Sequence, residues 1–339
     1  MAVGLSAEGS TGDDPWGGES SPDASAGSNL PELSGVDSAV LERQHAVGIL
    51  HPPVLLEEVV QGLALKEGAL VLDATVGLGG HAERILEATA PTGRLVAIDR
   101  DPEALEAAQR RLERFGDRTM WIHGNFGELA QRLSERAIGP LDAALFDLGV
   151  STLQLKRKHR GFSFLLEGPL DMRMDPTDSL TAAEIVNHTS QRELTDLIRS
   201  YGQDRWAGRI ARAIVRGRPF RTTMELAQAI RKAVPPTARH GKIDPATRTF
   251  QAIRIAVNGE LELLPKGLEQ AVERLKGGGR IAALAYHSLE DRIVKELFRR
   301  KQKEGLLSIL TRKPIRPEAQ EIARNPSARS ARLRIAQKQ

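Results

Sequence analysis

Asp73-Ala74-Thr75-Val76-Gly77-Leu78-Gly79-Gly80-His81-Ala82 is the stretch from which the fold is read. It closes a short apolar run, Ala69–Ala74 (ALVLDA), and opens a helical pattern from His81 to about Ala88. Strand, glycine-rich turn and helix in that order form the first unit of a ligand-binding α/β sheet, because glycine lets the backbone turn tightly and approach a ligand. The alternation continues downstream. Arg94–Asp99 (RLVAID) reads as a second strand, Pro102–Phe115 as a helix with proline in its first turn, and Thr119–His123 as a third strand. Phe126–Ala137 reads as a helix and Leu141–Leu148 (LDAALFDL) as a fourth strand. Runs so uniformly apolar belong to parallel strands covered by helices on both faces. Upstream, His51-Pro52-Pro53 sets the start of a helix over Val54–Leu65, with Val54, Leu55, Val59 and Leu63 at helical spacing.

After Asp147 the strand rhythm stops. Residues 155–244 contain only helix-like segments, at Ala182–Val186, Gln191–Tyr201, Arg205–Gly217 and Met224–Ala233. The rhythm returns with a helix over Thr247–Leu263, a strand over Arg280–Tyr286 and a helix over Leu289–Arg300. Candidate strands follow over Leu306–Thr311 and Ala331–Ala336. The expected organisation is an α/β domain of residues 41–154 and 245–339, interrupted by a helical insertion at 155–244. Residues 1–40 hold seven acids, no Lys or Arg, and abundant Gly, Ser, Asp and Pro, the composition of a disordered acidic tail.

At 40% hydrophobic residues the chain can bury a sizeable core. It has no cysteine, which excludes disulfides, thiolate metal sites and cysteine nucleophiles and fits a reducing cytoplasm. No apolar run reaches the roughly 18 residues of a membrane span, so no membrane association is expected. The net charge of +4 is unevenly placed: residues 155–248 hold 18 Lys or Arg against 10 Asp or Glu. A concentrated positive excess is the footprint of a phosphate-rich partner, although a solvated surface gives the same pattern.

The glycine turn admits two cofactors. Gly77-x-Gly79-x-x-Ala82 satisfies the dinucleotide fingerprint, and Asp99, ending the second strand, can accept hydrogen bonds from ribose hydroxyls. Asp73 argues against a dinucleotide, because a carboxylate roughly 4–6 Å from a diphosphate in a partly buried cleft costs several kcal/mol. S-adenosylmethionine has no phosphate and carries a sulfonium and an ammonium, so an acid suits it. A purely structural glycine turn is the remaining reading.

Beyond this turn, long blocks of the chain resemble the RsmH/MraW family of bacterial 16S rRNA methyltransferases, which make N4-methylcytidine in the ribosomal decoding centre. The resemblance runs from His51 to about Ala336. It is carried by HPPVLLEEVV (His51–Val60), DATVGLGGH (Asp73–His81), AIDRD (Ala97–Asp101), GNF (Gly124–Phe126), FDLGVSTLQL (Phe146–Leu155) and RGFSF (Arg160–Phe164). GPLDMRMD (Gly168–Asp175), DPATRTFQAIRIAVNGEL (Asp244–Leu261), YHSLEDRIVK (Tyr286–Lys295) and NPSARSARLRIA (Asn325–Ala336) complete it. It implies a Rossmann-like class I S-adenosylmethionine methyltransferase sheet with an inserted helical substrate-recognition domain. Gly79, Gly80 and His81 resemble the family's cofactor loop, Asp99 its ribose ligand, Phe126 its adenine neighbour, and Asp147 and Gln154 its remaining cofactor contacts. Thr152-Leu153 stands where many members have Ser-Pro, and Asp244 where they have His.

Methylation of cytosine N4 needs no covalent intermediate, in keeping with the missing cysteine. The exocyclic amine is a poor nucleophile because its lone pair is delocalised; an acceptor for its N–H localises that pair. Asp147 is placed for this at the end of the fourth strand, unless it is committed to the cofactor and backbone carbonyls of Leu148–Val150 hold the amine; the cofactor role is preferred. Tyr286 could stack on a flipped base and His287 hydrogen-bond to it or take up a proton; equally, Tyr286 completes the core and His287 caps the next helix. His51 and His81 read as a helix-start residue and a cofactor contact, and no spaced His/Asp/Glu set resembles a metal site.

For RNA, Lys156, Arg157, Lys158 and Arg160 run directly into Phe162 and Phe164, pairing phosphate contacts with stacking rings. Arg205, Arg209, Arg212 and Arg216 fall on one helical stripe, with Trp206, Ile210 and Ala213 on the adjoining face. The reading is an enzyme acting on 16S rRNA within the small ribosomal subunit, as a monomer or homodimer, with S-adenosylmethionine as cofactor. An NAD(P) dehydrogenase and a catalytically silent RNA-binding assembly factor are the rivals.

Overall fold

The computed structural model describes residues 53–239 and 243–339. The expected acidic tail, residues 1–40, and His51 lie outside the described residues. Seven strands form one sheet: β1 Leu70–Asp73, β2 Arg94–Asp99, β3 Thr119–His123, β4 Leu141–Asp147, β5 Leu275–Ala285, β6 Leu307–Ile309 and β7 Arg332–Lys338. Their order is β3-β2-β1-β4-β5-β7-β6. The first five run parallel, and β7 is antiparallel to both β5 and β6.

Helices cover both faces, as the unbroken apolar strands require. On one face lie α1 Leu56–Leu63, α2 Gly80–Ala88 and α3 Pro102–Leu112, which bury Val59, Leu63, Ile85 and Leu105 against Val71, Leu95 and Leu284. On the other, α4 Leu129–Glu135 and two later helices pack Leu133, Leu268 and Phe298 on Leu72, Phe146 and Ile281. Register sets the edge that matters. Asp73 pairs with Ala97 and Leu145, Asp99 with His123, and Asp147 with Leu284, so three carboxylates finish neighbouring parallel strands at the same edge. Ligands of open α/β sheets bind there, where the strand order reverses between β1 and β4.

Between β4 and β5 the regular elements are all helical. After α5 Thr152–Lys156 come α6 Ala182–His188, α7 Gln191–Gly202, α8 Ala207–Gly217, α9 Thr223–Ala233 and the short α10 Pro236–Arg239. They enclose a third apolar cluster that includes Ile198, Ile210, Ile214 and Ile230. The helix expected over Thr247–Leu263 is two helices, α11 Ala246–Asn258 and α12 Glu260–Arg274. Gly259 breaks them with a φ of +59°, a left-handed conformation that glycine adopts without strain. Phe250, Ile253 and Val257 of α11 pack into the insertion's cluster, while Leu264 and Leu268 of α12 pack on the sheet. Gly259 is thus where the chain passes from the inserted layer back to the sheet. The helix after β5 is α13 Ser288–Lys303, and a short α14, Ala319–Arg324, precedes β7. Among the described residues no helix is long and apolar enough to cross a membrane.

Candidate active site

The strand ends and the insertion enclose a cleft of about 540 Å³. Its floor comes from the turn after β1, with Thr75, Gly77, Gly80 and His81, and from Asp99, Asp147 and Tyr286. Its roof comes from Phe162, Phe164 and Phe250 on the inserted side.

Asp99 organises the cofactor half. The Gly77 amide donates to Asp99 Oδ2 at 2.8 Å and the Asp101 amide to Oδ1 at 2.9 Å, which ties the glycine turn to the end of β2. Burial pushes the Asp99 carboxyl up to about 6, against those two backbone hydrogen bonds. Each oxygen keeps a lone pair for a ligand hydroxyl. Phe126 faces the same end of the cleft, set edge-on to Phe146 with ring centroids 5.7 Å apart, and offers an apolar surface for a planar base.

Asp147 centres the other end. Its Oδ1 accepts from the Tyr286 hydroxyl at 2.9 Å, and its Oδ2 lies 3.3 Å from His81 Nδ1. The Asp147 amide donates to Thr75 Oγ1 at 2.7 Å, fixing the backbone under the carboxylate. His81 Nε2 is 3.0 Å from the Val54 carbonyl, which can only accept, so this nitrogen carries a proton. Burial alone would lower the His81 pKa, but the Asp147 hydrogen bond and the charges of Asp147 and Asp73 outweigh it and raise it. Burial, then the Asp147 charge, hold the Tyr286 hydroxyl far above its ordinary range, so it stays a donor. Four partner positions on the carboxylate minus these two leave acceptor capacity facing the cleft.

Not every residue singled out in the sequence reaches the cleft. Asp73 is buried beneath the turn, 1% exposed, and accepts from the Thr75 amide at 3.2 Å; burial pushes its carboxyl up to about 7 despite the neighbouring His81. It shapes the turn and does not line the cavity, and neither does Gly79. Gln154 lines it, but its amide is engaged: Nε2 donates to Asp101 at 2.7 Å and Oε1 accepts from the Ser151 amide at 3.0 Å. His287 caps α13, with Nδ1 accepting from the Glu290 amide and Nε2 3.1 Å from Glu290 Oε1. This is the cap reading, at the cleft wall. Burial would raise the Glu290 carboxyl, but His287 and Arg254 hold it below its ordinary range.

The RNA-side expectations divide. Lys156, Arg157 and Lys158 are exposed, as are Arg205, Arg209, Arg212 and Arg216, none of them ion-paired among the described residues. Arg205 and Arg209 pack their guanidinium groups over Trp206, at 4.9 and 5.6 Å from the ring. Arg160 is a correction. It is 4% exposed and bound to Asp101 at 2.9 Å, to Glu103 at 3.2 Å and to the Arg173 and Met174 carbonyls. A guanidinium so enclosed cannot meet a phosphate. Phe162 is likewise 7% exposed and belongs to the insertion's core, so it closes the roof without offering a free face. Phe164 remains half-exposed in the cleft, edge-on to Phe250 at 5.0 Å. Asp244 binds Arg231 at 2.9 Å, and Arg231 sits over the Phe164 ring, so the residue that departs from the family pattern supports this aromatic wall.

Sequence reasoning missed a charged group on the wall. Arg254 holds Glu260 through two hydrogen bonds, of 2.9 and 2.8 Å, across the Gly259 break. Their six-residue separation matches no helical period, so periodicity cannot expose it. Glu260, His287 and Glu290 bring ligand-type atoms within 4.8 Å of one another. Arg254 donates to both Glu260 oxygens and the Glu290 amide to His287 Nδ1, which ties the three residues into a network of charges on the cleft wall. Ser327 and Ser330, within the NPSARS block, also line the cleft.

A seven-stranded sheet with a reversed last strand, a glycine turn after β1 and acids ending β2 and β4 defines a class I S-adenosylmethionine-dependent methyltransferase. Residues 48–339 match the MraW methylase family, and the chain belongs to it. Its relatives include "Ribosomal RNA small subunit methyltransferase H" of Dehalococcoides mccartyi, 47% identical over 85% of this chain and 86% of that one. The protein of that name from Cyanothece sp. is 50% identical over 85% of this chain and 95% of its own, and that from Thermomicrobium roseum 46% over 89% and 98%. The cleft fits the cofactor, since Asp99 suits ribose hydroxyls, Phe126 a purine and Asp147 a cationic end.

Proposed function

We propose that this chain methylates N4 of a decoding-centre (P-site) cytidine in the 16S rRNA of the small ribosomal subunit, acting in the cytoplasm. The observation that carries this reading is the Asp147 carboxylate, oriented by Tyr286 and His81 at the junction of the cofactor half and the aromatic wall.

When bound, S-adenosylmethionine supplies a methyl group on a sulfonium, an electrophile needing no further activation. The protein's part is to make the amine a nucleophile. Phe164, braced edge-on by Phe250, holds the flipped base, and the unused acceptor positions of Asp147 take an amine N–H, which localises the lone pair. Tyr286 and His81 donate to the same carboxylate and fix its plane; they act through Asp147 and are positioning residues. Gly77, Gly80 and Asp99 would hold the cofactor, with a further acceptor position of Asp147 facing its cationic end. Lys156, Arg157, Lys158 and the Arg205–Arg216 stripe supply the cationic surface that RNA requires.

The test is transfer of labelled methyl from S-adenosylmethionine to small subunits from cells lacking this enzyme, followed by nuclease digestion and nucleoside identification. Label in N4-methylcytidine at a P-site position supports the reading. Label in another nucleoside refutes the N4 assignment, and label in protein refutes an RNA substrate.

A further inference from the structure

Leu165 is 79% exposed, the most exposed large hydrophobic residue among those described, yet it lines the mouth of the cleft. Leu155, 40% exposed, lines the same mouth. Single exposed apolar side chains are common, so it is the position of these two, together at the mouth of the cleft, that calls for a partner. Its backbone is fixed. The Ser163 hydroxyl accepts from the Leu165 amide at 3.2 Å, Thr223 Oγ1 donates to the Leu166 carbonyl at 2.7 Å, and the Thr223 amide donates to the Gly168 carbonyl at 2.9 Å. Gly168 closes so tightly on the basic run that a Cβ there would stand 1.8 Å from the Lys158 carbonyl. The loop that carries the apolar tip is therefore tied at Gly168 to the end of the run Lys156, Arg157 and Lys158, all exposed.

Cations that hold phosphates next to a rigid apolar point at the entrance of a base-sized cleft match the needs of base extrusion. Taking a nucleotide out of a stack leaves a gap between its neighbours, and an inserted apolar side chain fills it. We propose that Leu165 is the wedge that occupies the stack position vacated by the target nucleotide, with the Lys156–Lys158 run clamping the flanking phosphates. The inference rests on the RNA-methylating reading above and adds to it the residue that keeps the base out.

The experiment uses the full chain and small subunits. First, wild type, Leu165→Ala and Leu165→Met are compared in labelled methyl transfer. The wedge predicts a fall in kcat/KM of about tenfold to a hundredfold for Leu165→Ala, the range for removing one leucine side chain from an apolar site. It also predicts recovery in Leu165→Met and unchanged S-adenosylmethionine affinity for both. Second, p-benzoylphenylalanine is placed at position 165 and crosslinked by light to the subunit. Adducts on rRNA nucleotides flanking the methylated position support the wedge. Adducts confined to a ribosomal protein, or equal kcat/KM for wild type and Leu165→Ala, overturn it. Absence of methyl transfer by wild type would instead refute the functional reading itself.

Discussion

The two sides of the cleft treat charge in opposite ways. On the cofactor side three carboxylates are held by fixed partners: Asp99 by two backbone amides, Asp147 by Tyr286 and His81, and Asp101 by Arg160 and Gln154. On the inserted side Arg205, Arg209, Arg212 and Arg216 stand in solvent without acidic partners among the described residues. A buried, matched charge costs much to disturb and fixes geometry. An exposed, unmatched one contributes little to stability and stays available to a phosphate. The difference separates charges that shape the molecule from charges left open to solvent or to a partner.

The largest effect is expected from Asp147→Asn. It keeps the shape but weakens the acceptor, and methyl transfer should fall by about 10²- to 10³-fold in kcat, the range for losing one preorganised hydrogen-bond partner of the transition state. Single-turnover transfer measures it; a change confined to KM would assign Asp147 to binding alone. Next comes Arg160→Met, which strands Asp101 without its cation and should cost about 3–5 kcal/mol of stability in denaturant unfolding. A loss below about 1 kcal/mol would place Arg160 with the surface cations after all.

Asp99→Ala should weaken S-adenosylmethionine binding by about 1.5–3 kcal/mol by calorimetric titration, with the fold retained. The same carboxyl sets a pH dependence. Because burial raises it to about 6, it protonates as pH falls through that value and ceases to be a full acceptor for ribose. Cofactor affinity should therefore fall as pH drops through about 6 in wild type, and Asp99→Asn should flatten that part of the profile. The smallest effect on the protein itself belongs to the stripe. Replacing Arg209, Arg212 and Arg216 with Gln should leave melting and cofactor binding unchanged while lowering the salt slope of RNA binding by about 0.7–0.9 for each phosphate no longer neutralised. Parallel salt lines would put the RNA surface elsewhere.

Much of this was legible in the sequence, for local reasons. β2 and β3 carry the expected bounds because apolar runs between turn residues depend on nothing distant. The glycine turn, Asp99, Asp147 and Tyr286 were placed by the strands that precede them. What failed depends on contacts far along the chain. Lys156–Arg160 reads as one solvated run, yet Arg160 is drawn inward by Asp101, 59 residues away. Asp73 ends a strand like Asp99, but its turn folds over it. The Arg254–Glu260 pair was hidden by Gly259, since a helix break resets the phase on which pattern reading relies.

Asp101 has one more consequence. It caps α3 on the cofactor side while gripping Gln154 and Arg160 at the root of the insertion, and its own amide is held by Asp99. Swinging the inserted layer about this corner would part Asp101 from both Arg160 and Gln154 at once, so the corner resists opening. The walls at this corner are in place before RNA arrives. One carboxylate thus serves as the hinge pin between the cofactor layer and the inserted layer.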